Sequence, residues 1–214
     1  MDPSDPKDQA PLGSAHSGRL IAVDTAQGQR LFREAITVDY ESLVAHYEGQ
    51  RLKNFCSIAT GVVALNALLG RSHHSQFDFF TADVTAIRDR ERVEEDGMTL
   101  AELGAALGSH GAQVTVHHAE HDGVGRFRDI AARNLNTHGD ILIVNYLRDA
   151  LGQHSGGHFS PLAAYHPVTD RFLILDVADV RYPPVWVDTE VLFAAMATID
   201  PRSGRRRGFI AVAM

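Results

Sequence analysis

The stretch GQRLKNFCSIATGVVALNALLG, residues 49–70, carries the chain from a polar loop into a long apolar segment and contains its one cysteine, Cys56. From Ile58 the apolar residues Ile58, Val62, Leu65 and Leu69 recur at intervals of four, three and four, and Gly70 stands where a helix C-cap belongs. The segment is apolar nearly all round, which predicts a helix running through the middle of the fold. Asn54 is the expected N-cap, so Cys56 falls at the helix N-terminus. Unpaired backbone N–H groups there favour negative charge and lower the pKa of a thiol. Free cysteine is also among the most buried residue types, so the position fits a small core residue as well as a nucleophile.

Before this helix, RLIAV (19–23) reads as a short strand, TAQGQRLFREAI (25–36) as a helix with Leu31, Phe32 and Ala35 at helical spacing, and DYESLVAHYEG (39–49) as a second helix or turn. After it, TADVTAIRDRERVEEDG (81–97) is expected to form an exposed helix whose mixed charges are a solvated face. In TLAELGAALGSHG (99–111), Thr99 and Glu102 form a capping box, Leu100, Leu103 and Leu107 share a face, and Gly111 ends the segment. AQVTVHH (112–118) alternates as a strand. Four further strand-like runs, DILIVNYL (140–147), HFSPLAAYH (158–166), RFLILDVA (171–178) and RGFIAVAM (207–214), follow between Gly, Pro and Asp turns. Helices first and strands afterwards predict an α+β fold in which a helical lobe packs against an antiparallel sheet.

With 214 residues and 44% hydrophobic content the chain is able to bury a full core. A formal net charge of −7 argues against a nucleic-acid binder, and the short run Arg205, Arg206, Arg207 between two glycines is read as decoration of a hairpin turn. One cysteine makes neither an internal disulfide nor a cysteine-based zinc site, which favours a reducing compartment. Residues 1–18, polar and rich in Pro, Asp and Ser, hold no apolar stretch for a signal peptide or membrane span. The expectation is a cytoplasmic protein with no membrane partner, a flexible leader over 1–18 and one domain over 19–214.

A cysteine nucleophile needs an imidazole to take its proton and a third group to hold that imidazole. Of twelve histidines, His73 and His74 lie in a polar loop, and His117, His118 and His121 cluster at a strand end without the cysteine or well-spaced carboxylate that would complete a metal site. His158 differs. GGHFSPLAAYHPVTDRFLILDVA (156–178) reads as two antiparallel strands joined over Pro167–Asp170. A register centred on Pro167 opposes His158 to Asp176, and one centred between Val168 and Thr169 opposes it to Asp179; periodicity leaves both open.

Together with GQRLFREA (28–35), Gln50 six residues before Cys56, ALNALLG (64–70), GMTLAELGAALGSHG (97–111), NYLRDALGQHSGGHFSPLAAYH (145–166) and LILDVADVRYPPVWV (173–187), these residues resemble the bacterial phytochelatin synthase family over about residues 19 to 212. That family belongs to the papain-like cysteine peptidase superfamily and acts on glutathione. The resemblance implies a papain-like fold with Cys56 as nucleophile, His158 as general base, Asp176 as the residue orienting it and Gln50 in the oxyanion hole. It places Arg148, ten residues before His158, and Gly157 among substrate-binding positions. Where the family commonly has an arginine this chain has Asp179; Arg181, two residues on, alternates to the same strand face and is its candidate replacement.

The implied reaction removes glycine from glutathione through a γ-glutamylcysteinyl thioester on Cys56. Water then gives γ-glutamylcysteine, and a second glutathione gives a phytochelatin, with hydrolysis the favoured outcome. No tightly bound cofactor is implied; cadmium or zinc would enter as a metal–thiolate complex of the substrate, since soft cations favour thiolates. A homodimer is compatible with the resemblance. Asp179 raises a cationic amine such as a polyamine as an alternative acyl acceptor, and a non-catalytic thiol-peptide binder is the contrasting class.

Overall fold

A computed structural model describes residues 20–119, 123–154, 156–178 and 181–214. The leader over 1–18, His121 and Asp179 lie outside them. Among the described residues seven strands form one antiparallel sheet: β1 (Leu20–Ala22), β2 (Gln113–His118), β3 (Asp140–Leu147), β4 (Gly157–His166), β5 (Arg171–Ile174), β6 (Val185–Asp188) and β7 (Gly208–Ala213). Their order across the sheet is β1-β6-β5-β4-β3-β7-β2. Eight α-helices accompany them among the described residues: α1 (Ala26–Glu34), α2 (Tyr40–Ala45), α3 (Cys56–Leu69), α4 (Ala82–Ile87), α5 (Arg90–Asp96), α6 (Leu100–Ser109), α7 (Val124–Asn134) and α8 (Thr189–Met196). The fold is α+β, as the order of elements predicts. None of these helices is long and apolar enough to cross a membrane.

The sheet is covered on both faces, which explains why its central strands read as unbroken apolar runs. On β3, Ile141 and Ile143 face a core built with α3 and α6, and Leu142, Val144 and Tyr146 face a second core built with α7 and α8. The edge strand β2 alternates in exposure instead. Helix α3 is buried from Ser57 to Ala67, and Gly70, at φ 62°, adopts the left-handed conformation that ends it.

Its N-terminus departs from expectation. Phe55 holds the N-cap position with no side-chain cap, because the amide of Asn54 turns away to the Glu94 and Glu95 carbonyls at the end of α5 (2.9 and 2.8 Å). The first-turn N–H groups of α3 are therefore left open beside Cys56.

Two other departures matter, together with the hairpin register that periodicity leaves open. The exposed helix expected over 81–97 is two helices, since Arg88 is extended and Asp89 caps α5 by accepting from the Arg92 N–H. Helices α7 and α8 interrupt the strand-rich half; each buries its apolar side on the sheet face opposite α3. In the β4–β5 hairpin His166 pairs with Arg171, the register centred between Val168 and Thr169. A bulge between Leu162 and Ala164 then shifts the pairing by one residue, and β5 ends at Ile174.

At the other end of the sheet Asp39 is only 3% exposed, and its Oδ2 has no hydrogen-bond partner. Burial, reinforced by the nearby charge of Asp140, raises its pKa to about 7. A carboxyl whose folded pKa lies above its unfolded value gives the native state the extra proton, so stability falls as pH rises from about 4 to 7. The loss is on the order of a few kcal/mol. Asp39→Asn is expected to flatten that part of the pH–stability curve and to raise the Tm at pH 8 by roughly 5 °C. A denaturation series from pH 4 to 8 checks this, and superimposable curves for the two proteins would refute it.

Candidate active site

Cys56 is the first residue of α3, half-buried, at the floor of a cleft of about 590 Å³. Packing of α3 on β4, pinned where Thr60 Oγ1 donates to the Phe159 carbonyl (3.1 Å), brings the thiol against His158. His158 is 5% exposed, and its Nε2 meets Asp176 Oδ1 at 2.9 Å, which leaves Nδ1 for the sulfur. Asp176 follows the end of β5 and is 1% exposed. The hairpin turn has the register that would oppose His158 to Asp179; the bulge and the early end of β5 bring Asp176 to the imidazole instead.

Four donors converge on the Asp176 carboxylate. Besides His158, Oδ1 accepts from Arg148 Nη2 at 2.6 Å and from the Ala178 N–H at 2.8 Å, and Oδ2 accepts from the Tyr146 hydroxyl at 3.3 Å. The Tyr47 hydroxyl donates to the Asp176 carbonyl. Burial works to raise the Asp176 pKa, but His158 and Arg148 outweigh it and hold the carboxyl below the usual range.

Burial likewise opposes ionisation of Cys56, yet the His158 charge and hydrogen bond, the Phe159 backbone and Arg148 lower the thiol below its ordinary value. For His158, burial pulls the pKa down while Asp176 and Cys56 raise it further than burial lowers it. The two opposite shifts favour a thiolate–imidazolium pair.

Gln50 borders the same cleft, anchored by its N–H to the Val177 carbonyl at 2.7 Å. Its side-chain amide donates to the Leu52 and Lys53 carbonyls (2.9 and 2.6 Å), and its Oε1 is buried without a partner. Both amide hydrogens thus serve its own turn. Gln76, fully buried, holds this loop: its Oε1 accepts from the Arg51 N–H and its Nε2 donates to the Gly49 carbonyl, each at 2.9 Å. A lone Gln in a polar stretch carried no signal of that task.

Arg148 is 1% exposed, with Nη1 on Gln153 Oε1 at 2.9 Å and its guanidinium 4.1 Å from the Tyr182 ring centroid. Arg181 lies exposed on the cleft rim. Gly157 is exposed and stands over Arg207: a Cβ at Gly157 would come within 2.9 Å of Arg207 Nη2. Arg207 is a correction to the reading of residues 205–207 as turn decoration. It is 5% exposed, tethered to Thr198 Oγ1 and the Ile199 carbonyl (3.0 and 2.7 Å), and borders the cleft.

Five of the other described histidines make structural contacts. His117 stacks on Phe209, His118 Nδ1 lies 2.5 Å from the Arg206 carbonyl, and His73, His74 and His110 pack edge to face. Among the described residues no group of three side chains is placed to hold a metal ion.

A thiol poised in this way is able to attack a carbonyl carbon and keep the acyl group as a thioester, the chemistry of cysteine-dependent acyl transfer. The sequence comparisons point in the same direction. Residues 14–209 match the family model described as phytochelatin synthase, and the chain belongs to the phytochelatin synthase family. It is 33% identical over 201 residues to glutathione gamma-glutamylcysteinyltransferase 3 of Lotus japonicus, covering 89% of this chain and 42% of that protein. To glutathione gamma-glutamylcysteinyltransferase 2 of Arabidopsis thaliana it is 31% identical, over 89% of this chain and 44% of the relative. The Schizosaccharomyces pombe glutathione gamma-glutamylcysteinyltransferase is 28% identical, over 90% and 48% respectively. The chain thus spans less than half the length of these curated relatives.

Proposed function

We propose that the protein is a glutathione-acting cysteine acyltransferase and peptidase that forms a γ-glutamylcysteinyl thioester on Cys56. The observation that carries this reading is the Cys56–His158–Asp176 line in an open cleft, in a chain of this family. The Cys56 thiolate attacks the carbonyl carbon of the Cys–Gly peptide bond. The developing oxyanion is met by N–H groups at the open start of α3, a type of donor worth about 3 kcal/mol in comparable sites. Gln50 adds a second donor if its amide leaves one of the two carbonyls it now serves. His158, protonated by the thiol, returns that proton through Nδ1 to the departing glycine amine as the C–N bond breaks. In the second step His158 deprotonates water, which releases γ-glutamylcysteine, or the amine of a second glutathione, which extends the peptide.

The γ-glutamyl group ends in an α-carboxylate and an α-amine, so its site needs one cation and one acceptor. Arg207, with Nη2 and Nε beneath Gly157, suits the carboxylate. Asp200 and the buried, unpartnered Oδ1 of Asn145 border the same cleft and suit the amine. Arg207→Met is expected to raise the KM for glutathione about 10- to 100-fold, the worth of a hydrogen bond to a charged group, with a smaller change in kcat. Gly157→Ala, by displacing the guanidinium, should act in the same direction. Steady-state kinetics on the two variants decides, and an unchanged KM in both removes Arg207 from the substrate site.

The function itself is tested by incubating the protein with glutathione, with and without cadmium, and following intact protein and products by mass spectrometry. A γ-glutamylcysteinyl adduct with free γ-glutamylcysteine marks the hydrolase, and longer peptides mark the synthase. Absence of both adduct and glycine release would overturn the reading.

A further inference from the structure

We propose that Arg148 is a positioning residue: by holding Asp176 and supplying the fourth charge of a largely buried, electrically neutral quartet, it allows Cys56 and His158 to stand as thiolate and imidazolium. The inference rests on the reading of Cys56 and His158 as the reacting pair, and it gives Arg148 a task other than touching substrate.

The geometry closes the guanidinium on several sides. One nitrogen donates to Asp176 Oδ1 at 2.6 Å, another to Gln153 Oε1 at 2.9 Å, and the Tyr182 ring packs against it. The residue's N–H donates to the Gly156 carbonyl, and its own carbonyl accepts from the Gln153 N–H. Tyr182 is itself clamped, its hydroxyl donating to the His154 carbonyl (2.7 Å) and accepting from the His154 N–H (3.0 Å). At 1% exposure Arg148 borders the cleft without offering a face on which a substrate carboxylate would sit.

Charge balance supplies the rest. Thiolate and carboxylate contribute two negative charges, imidazolium and guanidinium two positive ones. Among the described residues, the other titratable groups facing the quartet are the phenols of Tyr47, Tyr146 and Tyr182; Tyr146 is kept neutral by its burial and by the Asp176 charge. Lys53, Asp96, Arg181, Asp200 and Arg202 line the cleft's open side, where water screens them, and Arg207, buried, borders the cleft beneath Gly157. Without Arg148 a thiolate would leave one uncompensated negative charge in a poorly solvated site, and the cheapest relief is to protonate the sulfur. Arg148 also divides Asp176 Oδ1 with His158, fixing the carboxylate's rotation and hence the ring that leans on it.

The test is the pH dependence of Cys56 alkylation by iodoacetamide, which reports one site because the chain has one cysteine. In Arg148→Met the midpoint is expected to rise by about one pH unit, so that alkylation below it slows about tenfold. Arg148→Lys keeps the charge and should stay within about half a unit of the wild type, with turnover reduced because one ammonium is a poor match for both Asp176 and Gln153. An unmoved midpoint in folded Arg148→Met, with the defect confined to a raised KM for glutathione, overturns the proposal in favour of substrate contact. Should that variant not fold, Asp176→Asn is compared with Asp176→Asn/Arg148→Met. The double variant is expected to titrate about one unit higher, and equal midpoints overturn the proposal. Glutathione plays no part in the alkylation, so a failed substrate assignment and a failed charge quartet give different results.

Discussion

Cys56→Ser is expected to abolish glycine release from glutathione, with turnover at least 10⁴-fold below wild type and no covalent adduct (about the loss expected when a covalent nucleophile is removed). The site is built around a thiol that ionises below its ordinary pKa beside a histidine whose pKa is raised. A serine hydroxyl ionises far above that range and would leave His158 with no pair to form. Cys56 is half-buried and contributes little to the core, so the variant should unfold within about 2 °C of the wild type and still bind glutathione. Intact-protein mass spectrometry and calorimetric binding separate the two effects. Retained turnover in the serine variant would sink the assignment of the nucleophile.

Asp176→Asn should damage both chemistry and stability. The amide no longer favours the imidazolium and lets the ring take the wrong tautomer, for which a fall in kcat/KM of about 10³- to 10⁴-fold is expected. The substitution also leaves the buried Arg148 guanidinium without its counter-charge, at a cost of about 3 to 5 kcal/mol. The sign with pH is determined by the depressed pKa of the native carboxyl. Its contribution to stability is complete above the unfolded value near 4 and is lost as pH falls toward the folded one. Acid unfolding of the asparagine variant should therefore start from a lower plateau and fall less steeply below about pH 4. Parallel acid-denaturation curves, or a kcat/KM within tenfold of wild type, would contradict the role of Asp176.

The central helix was legible because its signal is local. Ile58, Val62 and Leu65 repeat at helical spacing and are buried, and Gly70 takes the left-handed conformation that its lack of a side chain permits. The Thr99–Glu102 capping box is likewise a contact between residues three apart, and it is present on both sides. Helices α7 and α8 were not legible in the same way: they sit between strands whose apolar runs dominate that half of the chain. Asn54 fits an N-cap by residue type, yet its amide serves the open carbonyls of a helix 40 residues away.

From the sequence alone came the chemical inventory: one thiol at the start of a buried helix, a histidine at the start of a strand, acids at the end of the next, and the motifs of a known family. Such features reside in residue type and short-range spacing, which the chain carries whatever its surroundings. Which acid meets His158 depended on a bulge and on where β5 stops, and a shift of one residue is invisible in an apolar run buried on both faces. Long-range packing likewise gave Arg148 its place on Asp176 and drew Arg207 from a basic triplet to the cleft wall. Charge, burial and hydrogen-bond partners are properties of neighbourhoods, and only the tertiary structure creates them.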